Sequence, residues 1–162
     1  MAQPPIILIT GSSDGGLGSS LAVAFHQHGR RVLATARNVA RMTGLQNLGI
    51  ETITLDVFSN SSINSCVEQV TALTASTSGG LDILINNAGG GYNMPVADID
   101  IAKAKSLFDL NVWSYIAVMQ AFLPLLLQAK DMIVNNTSIS SIAPNPFLER
   151  LPPFQGGRRH VL

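Results

Sequence analysis

Charge is scarce in this chain of 162 residues: only 12% of them are Asp, Glu, Lys or Arg. The ten acidic and ten basic side chains cancel, so no field of one sign invites nucleic acid or an acidic partner. Beside 46% hydrophobic residues, so low a charge fraction suits a buried parallel sheet better than a solvated helical bundle. There is one cysteine, Cys66, which excludes an internal disulfide and fits a reducing compartment. A small core residue on a helix is expected there. No positively charged segment precedes the short apolar run near the start, so no signal peptide is expected. The run Ile116–Leu127 is too short to cross a bilayer and contains Pro124, so no integral membrane segment is expected either. His26, His28 and His160 have no partners at metal-ligand spacing and are read as surface residues, with no metal site. Without a secretory signal, the glycosylation-type triplets beginning at Asn60, Asn135 and Asn136 carry no weight.

What the chain does have is alternation. Ile6–Thr10 is a short apolar run ending in glycine and serine, a buried strand by its length and flanks. Leu17, Leu21 and Phe25 then recur every four residues and predict a helix that Gly29 ends. Arg31–Ala36 reads as a second strand, followed by a weaker helical stretch to about Gln46. Glu51–Val57 alternates like a third strand, and Ser59 or Asn60 caps a helix with Ile63, Val67 and Val70 on one face. Asp82–Gly89 is expected as the fourth strand, Ile99–Lys130 as a long helical region and Asp131–Ile139 as the fifth strand. This order predicts an α/β fold, a doubly wound parallel sheet of Rossmann type with right-handed crossovers, running no further than strand five. Residues 1–147 form one dinucleotide-binding domain in this reading, and 148–162 a tail outside it.

The first strand runs into "TGSSDGGLGSSLAVAF". Glycines between a first strand and its helix let the backbone approach a phosphate, and the free N–H groups of the helix hold the anion. The spacing of Gly11, Gly15, Gly16 and Gly18 is not G-x-G-x-x-G, so its placement carries the argument rather than the pattern. Strand two ends in Arg37, and no Asp or Glu occurs from Val32 to Ala40. An arginine there suits the 2′-phosphate of NADP(H), whereas NAD-preferring folds place a carboxylate to hold the ribose hydroxyls.

"TGSSDGGLG" resembles the T-G-x-x-x-G-x-G cofactor loop of the short-chain dehydrogenase/reductase family, with one extra residue. Its double glycine resembles the loop of a lipid-metabolising branch, the fungal acyl-dihydroxyacetone-phosphate reductases. Further family motifs follow in order. "LDV" at Leu55–Val57 resembles the strand-three end whose aspartate, here Asp56, binds the adenine. "NNAG" at Asn86–Gly89 matches the strand-four motif. Asn111 falls where the family keeps a catalytic asparagine, and "IVNNTS" resembles the strand-five motif ending in the catalytic serine, here Ser138. The resemblance spans 6–147. It implies that Thr10, Gly11, Ser13, Leu17, Gly18, Asn87, Ala88 and Gly89 line the cofactor, with Gly15 or Gly16 as the middle glycine and Gly16 preferred. It also implies hydride transfer between NADP(H) and a small carbonyl or alcohol, a lipid-like ketone such as acyl-dihydroxyacetone phosphate among the candidates. A homo-oligomer in the cytoplasm, peripheral to endoplasmic reticulum or lipid droplets, goes with it.

Taken singly, these residues have ordinary structural uses. Asp56 can cap the turn after its strand, and Asn86 and Asn87 can satisfy backbone groups at a strand end. Asn111 costs helix propensity, so a hydrogen bond is expected to offset it. Trp113 is expected to pack between helices. Only the order and spacing of the set raise the functional reading above these.

The family pattern also calls for a tyrosine with a lysine four residues later. A phenol with a pKa near 10 relays a proton poorly at neutral pH unless a cation stabilises its phenolate. The only tyrosines, Tyr92 and Tyr115, precede Ser138, and Lys130 is the last lysine. Two readings stay open: an oxidoreductase whose sequence is incomplete or misread, or a dinucleotide-binding or interaction fragment without catalysis. For the first, moving the frame by one nucleotide through Leu151–Gly157 can spell Tyr-x-x-Ser-Lys-Ala-Ala. That tyrosine would replace Leu151, thirteen residues after Ser138 (151 − 138). On either reading this polypeptide is expected to show little turnover and an unpaired strand-five edge that promotes association.

Overall fold

The computed structural model describes residues 4–75, 80–129 and 132–138. The expectations for 148–162, for His160 and for the shifted frame lie outside the described residues. Five parallel strands form one sheet in the order β3-β2-β1-β4-β5. They are β1 (Ile6–Ile9), β2 (Arg31–Ala36), β3 (Glu51–Thr54), β4 (Ile83–Asn86) and β5 (Met132–Asn135). Helix α1 (Leu17–Gln27) joins β1 to β2, α2 (Thr43–Asn47) follows a 3-10 turn after β2, and α3 (Asn60–Thr74) joins β3 to β4. Between β4 and β5 run α4 (Ile101–Phe108), a π-helical turn (Asp109–Trp113) and α5 (Ser114–Ala129).

Because successive side chains of a strand point to opposite faces, the continuous apolar run of β1 fills two cores. Ile6 and Leu8 pack with Leu33, Ile53, Leu84 and the α3 and α5 residues Cys66, Val70, Val118 and Phe122. Ile7 and Ile9 pack on the other face with Val32, Ala34, Ile85, Ala22 of α1 and Leu45 of α2. The outer strand β3 is pinned by a forked pair: Arg31 Nε and Nη2 donate to the two carboxylate oxygens of Glu51 at 2.7 and 3.0 Å. Ser59 caps α3, its Oγ accepting from Ser62 N at 3.2 Å, a bond of a kind that contributes about 1 kcal/mol. Asp100 caps α4 by accepting from the N–H groups of Ala102 and Lys103.

Several expectations shift. Strands three, four and five are shorter than their sequence runs, because Leu55–Val57, Asn87–Gly89 and Asn136–Ser138 leave the ladder at the same end of the sheet. Leu17 is 56% exposed; the sheet-facing residues of α1 are Gly18, Ser19 and Ala22, whose small size lets the helix approach closely. Trp113 is 60% exposed rather than packed between helices, because the π turn rotates it outward. The helical stretch Ile101–Ala129 runs 29 residues and is long and apolar enough to cross a membrane by length and composition, longer than Ile116–Leu127 alone suggested. Pro124 lies inside it on the exposed side, while Val118, Phe122, Leu125 and Leu126 cover the sheet. Among the described residues β5 is an edge strand, with Met132 and Val134 exposed.

Cys66 is fully buried, as expected for a core residue on α3, and burial pushes its thiol up to about 12. At pH 8 only about one thiol in ten thousand would then be ionised. An aromatic disulfide reagent should therefore leave the native protein unmodified for hours at pH 8 and titrate one thiol on unfolding. Rapid release of one equivalent of chromophore from the native protein would contradict this burial.

Candidate functional site

The strands all present their C-terminal ends to one side, and the loops leaving those ends meet there. From β1 the chain enters the turn Thr10–Gly16 with Gly11 at φ +72° and Gly15 at φ +79°, backbone that favours glycine. The two glycines differ in their surroundings. A Cβ on Gly11 would lie 2.7 Å from Ala88 Cα, whereas nothing lies within 4 Å of one on Gly15. Gly15 thus supplies the bend beside open space, and Gly16 stands as the N-cap of α1 at φ −95°. The division of labour left open between Gly15 and Gly16 is therefore a turn residue and a cap residue. Unlike α3 and α4, α1 has no side chain capping its N-terminus. An anion placed there would meet free N–H groups and the positive end of the helix dipole.

Gly18 sits deeper. A Cβ on it would lie 2.5 Å from Gly11 O and 2.6 Å from Asn87 Nδ2, so α1 meets the backbone of the turn and the Asn87 side chain after β4. The turn and the end of β4 are further tied by Thr10, which is 1% exposed. Its Oγ1 accepts from Asn87 N and Ala88 N, each at 2.9 Å. Asn87 returns the link, its Nδ2 donating to Thr10 O at 2.9 Å and Gly11 O at 3.0 Å. Ser13 lies half-buried in the turn and Leu17 exposed at the start of the helix.

Toward β2, Ser12 N donates to Thr35 O at 2.8 Å and Asp14 N to Arg41 O at 2.7 Å. Asp14 Oδ2 accepts from Gly44 N at 3.0 Å, so this aspartate anchors the turn to α2. Arg37, exposed, leaves the end of β2 beside this junction. Asp56 lies just past β3, half-buried; its Oδ1 accepts from Phe58 N and its own N–H donates to Ser62 Oγ. The structural use of Asp56 as a turn cap is therefore present.

Beyond Gly89, Asn111 in the π turn makes two bonds to one residue: Oδ1 accepts from Gly90 N at 3.0 Å and Nδ2 donates to Gly90 O at 2.9 Å. That offsets its poor helix propensity. Ser138 lies half-buried just past β5. Sequence reasoning missed two members of this assembly, Asp14 and Asn136. Asn136 Nδ2 donates to Asn87 Oδ1 at 3.0 Å, and the repeated Asn-Asn at the ends of β4 and β5 was its visible signal.

Residues 5–149 match the family model described as short chain dehydrogenase. The chain is 54% identical over 127 residues to a short-chain dehydrogenase/reductase of Pestalotiopsis microspora, covering 78% of this chain and 45% of that one. It is 41% identical over 147 residues to the NADPH-dependent 1-acyldihydroxyacetone phosphate reductase of Schizosaccharomyces pombe, covering 91% and 49%. The chain thus spans about half the length of the curated relatives it matches. Among solved structures, an alcohol dehydrogenase from the archaeon Thermococcus sibiricus, complexed with 5-hydroxy-NADP, superposes with a TM-score of 0.76 at 26% identity, covering 94% of this chain and 63% of that one.

Proposed function

The chain belongs to the short-chain dehydrogenase/reductase family, and on that premise we propose that it is the cofactor-binding part of an NADP(H)-dependent oxidoreductase acting on a carbonyl or alcohol. The observation that carries the reading is the uncapped N-terminus of α1, lined by Gly15 and Gly16 and buttressed by Asn87. Its residues fit a dinucleotide: N–H groups of α1 would hold the pyrophosphate, Leu17 would cover it, and Asp56 would meet the adenine. Ala88 and Gly89 would flank the nicotinamide side. A nicotinamide cofactor supplies hydride transfer when bound. The chain's own contributions are positional: Ser138 would donate its hydroxyl to a substrate oxygen, and Asn111 holds Gly90, the residue after the Asn86–Gly89 motif. Likeness to the Schizosaccharomyces pombe enzyme supports a lipid-like ketone, acyl-dihydroxyacetone phosphate, as the substrate to try first.

A second reading, binding without turnover by the 162-residue chain, has its own support. Tyr92 and Tyr115 are the only tyrosines, and the residues four positions on are Val96 and Met119, not lysine. Tyr92 OH accepts from Asp100 N, and Tyr115 is 6% exposed with its OH donating to Asn136 O at 3.4 Å. Loss of NADPH absorbance with a carbonyl substrate and this chain alone would remove that second reading.

Arg37 decides cofactor choice in the proposal. Isothermal titration should give NADP+ binding at least tenfold tighter than NAD+, a difference of about 1.4 kcal/mol. Arg37→Ala should erase the preference by weakening NADP+ alone, because the exposed guanidinium at the end of β2 suits the 2′-phosphate. Equal affinities for the two in the unaltered chain would sink the NADP(H) assignment.

A further inference from the structure

The carbonyls of Thr10 and Gly11 can only accept hydrogen bonds, so the side-chain atom of Asn87 facing both must be its nitrogen. Both hydrogens of that nitrogen are thereby used, and Asn87 Oδ1 points the other way, where Asn136 Nδ2 donates to it at 3.0 Å. The direction of every bond in the chain Asn136, Asn87, glycine turn follows from those two carbonyls. We propose that Asn136 is a positioning residue of the cofactor turn, holding the Asn87 amide in the one orientation that keeps the Thr10 and Gly11 carbonyls in place. The inference rests on the reading of that turn as a cofactor site.

Without a donor at Asn136, the Asn87 amide is held by the Thr10 and Gly11 carbonyls alone, its Oδ1 loses its partner, and swings or flips that weaken both carbonyl bonds are less strongly opposed. Gly18 packs close on this amide, since a Cβ added there would stand 2.6 Å from Asn87 Nδ2. Asn136 is itself held from two elements: its N–H donates to Asn86 O at 2.8 Å, and its carbonyl accepts from Tyr115 OH at 3.4 Å. Ser138 follows two residues later, so one side chain links the serine's segment to the glycine turn. The neighbouring pair behaves differently. Asn86 Nδ2 donates to Asn135 Oδ1 at 2.9 Å, but the buried Oδ1 of Asn86 has no partner among the described residues and the pair reaches no carbonyl of the turn. That pair ties two strands; Asn136 orients a third segment through Asn87.

Three variants of the full chain separate these roles: Asn136→Leu, which keeps volume without a donor, N136D, which puts an acceptor against Asn87 Oδ1, and Asn135→Leu as the strand-pair control. The dissociation constant for NADP+ should rise about tenfold in N136L, and amide hydrogen exchange across Gly11–Gly18 should quicken by a similar factor. Asn135→Leu should lower the melting temperature at least as much while leaving both readouts near the wild type. N136D should match N136L at pH 8 and recover toward the wild type at pH 5, each ratio taken against the wild type at the same pH. A protonated carboxyl donates again, and the facing carbonyl oxygen raises its pKa above the ordinary aspartate value of about 3.9. Wild-type exchange and affinity in N136L, or a pH-independent deficit in N136D, would overturn the proposal. Should N136L not fold, the pH profile of N136D decides alone. If the unaltered chain binds no NADP+, the cofactor reading falls, and the exchange comparison still decides whether Asn136 positions the turn.

Discussion

Gly11→Ala should abolish detectable NADP(H) binding and destabilise the fold by about 2–5 kcal/mol. Two costs combine. At φ +72° an added Cβ crowds its own backbone, at about 1–2 kcal/mol. The same Cβ would lie 2.7 Å from Ala88 Cα and 3.0 Å from Ala88 N, atoms of a backbone held by Thr10, and overpacking of that kind costs about 1–3 kcal/mol. Relief requires the turn and the end of β4 to separate, which breaks the Asn87 bonds to Thr10 and Gly11. Gly29→Ala is the control, with the same φ of +72° at the far end of α1 and nothing within 4 Å of the new Cβ. It should cost only the backbone term and bind as the wild type does. Urea denaturation and quenching of NADPH fluorescence measure both quantities. A Gly11→Ala protein as stable as Gly29→Ala would mean that the contact with Ala88 is not rigid.

The succession of strands and helices, and with it the doubly wound parallel sheet, was legible because the strands are short apolar runs with turn residues at their ends, a pattern written locally. The glycine turn was legible for the same reason. What sequence pattern could not supply is the distance between segments far apart in the chain. The spacing of Leu17, Leu21 and Phe25 marked the helix, and Leu21 and Phe25 do pack against the core, but Leu17 is exposed and the closest approach to the sheet is made by Gly18 and Ala22, through being small. Trp113 was assigned to packing on its apolar neighbours, and it lies 60% exposed in the π turn Asp109–Trp113. That same turn brings Asn111 onto Gly90, so one irregularity accounts for the misplaced tryptophan and the well-placed asparagine. Asp14 and Asn136 act on partners 30 and 49 residues away, beyond any periodicity.

Thr10→Val tests how much of the site is held by a single hydroxyl. The two side chains are nearly equal in shape, so the substitution opens little space and isolates the loss of hydrogen bonds. Thr10 Oγ1 is the acceptor for Asn87 N and Ala88 N, and its own hydrogen faces Ile85 O at 3.5 Å, a weak contact. A valine methyl would stand against two backbone N–H groups that have left the ladder and have no strand to pair with. An N–H deprived of its acceptor costs about 1–3 kcal/mol, and the half-buried position of these two places the total at about 2–4 kcal/mol. For a chain of this size the melting temperature should fall by roughly 10 °C. Thr10→Ser retains the oxygen and should stay within about 1 kcal/mol of the wild type, its loss being a methyl in a tight site. Cofactor affinity should follow the same order, because Asn87–Gly89 and the glycine turn are registered to each other through this oxygen. If Thr10→Val melts with the wild type and binds equally well, the two N–H groups have found another acceptor. The register of β4 against the turn then rests on the Asn87 side chain alone.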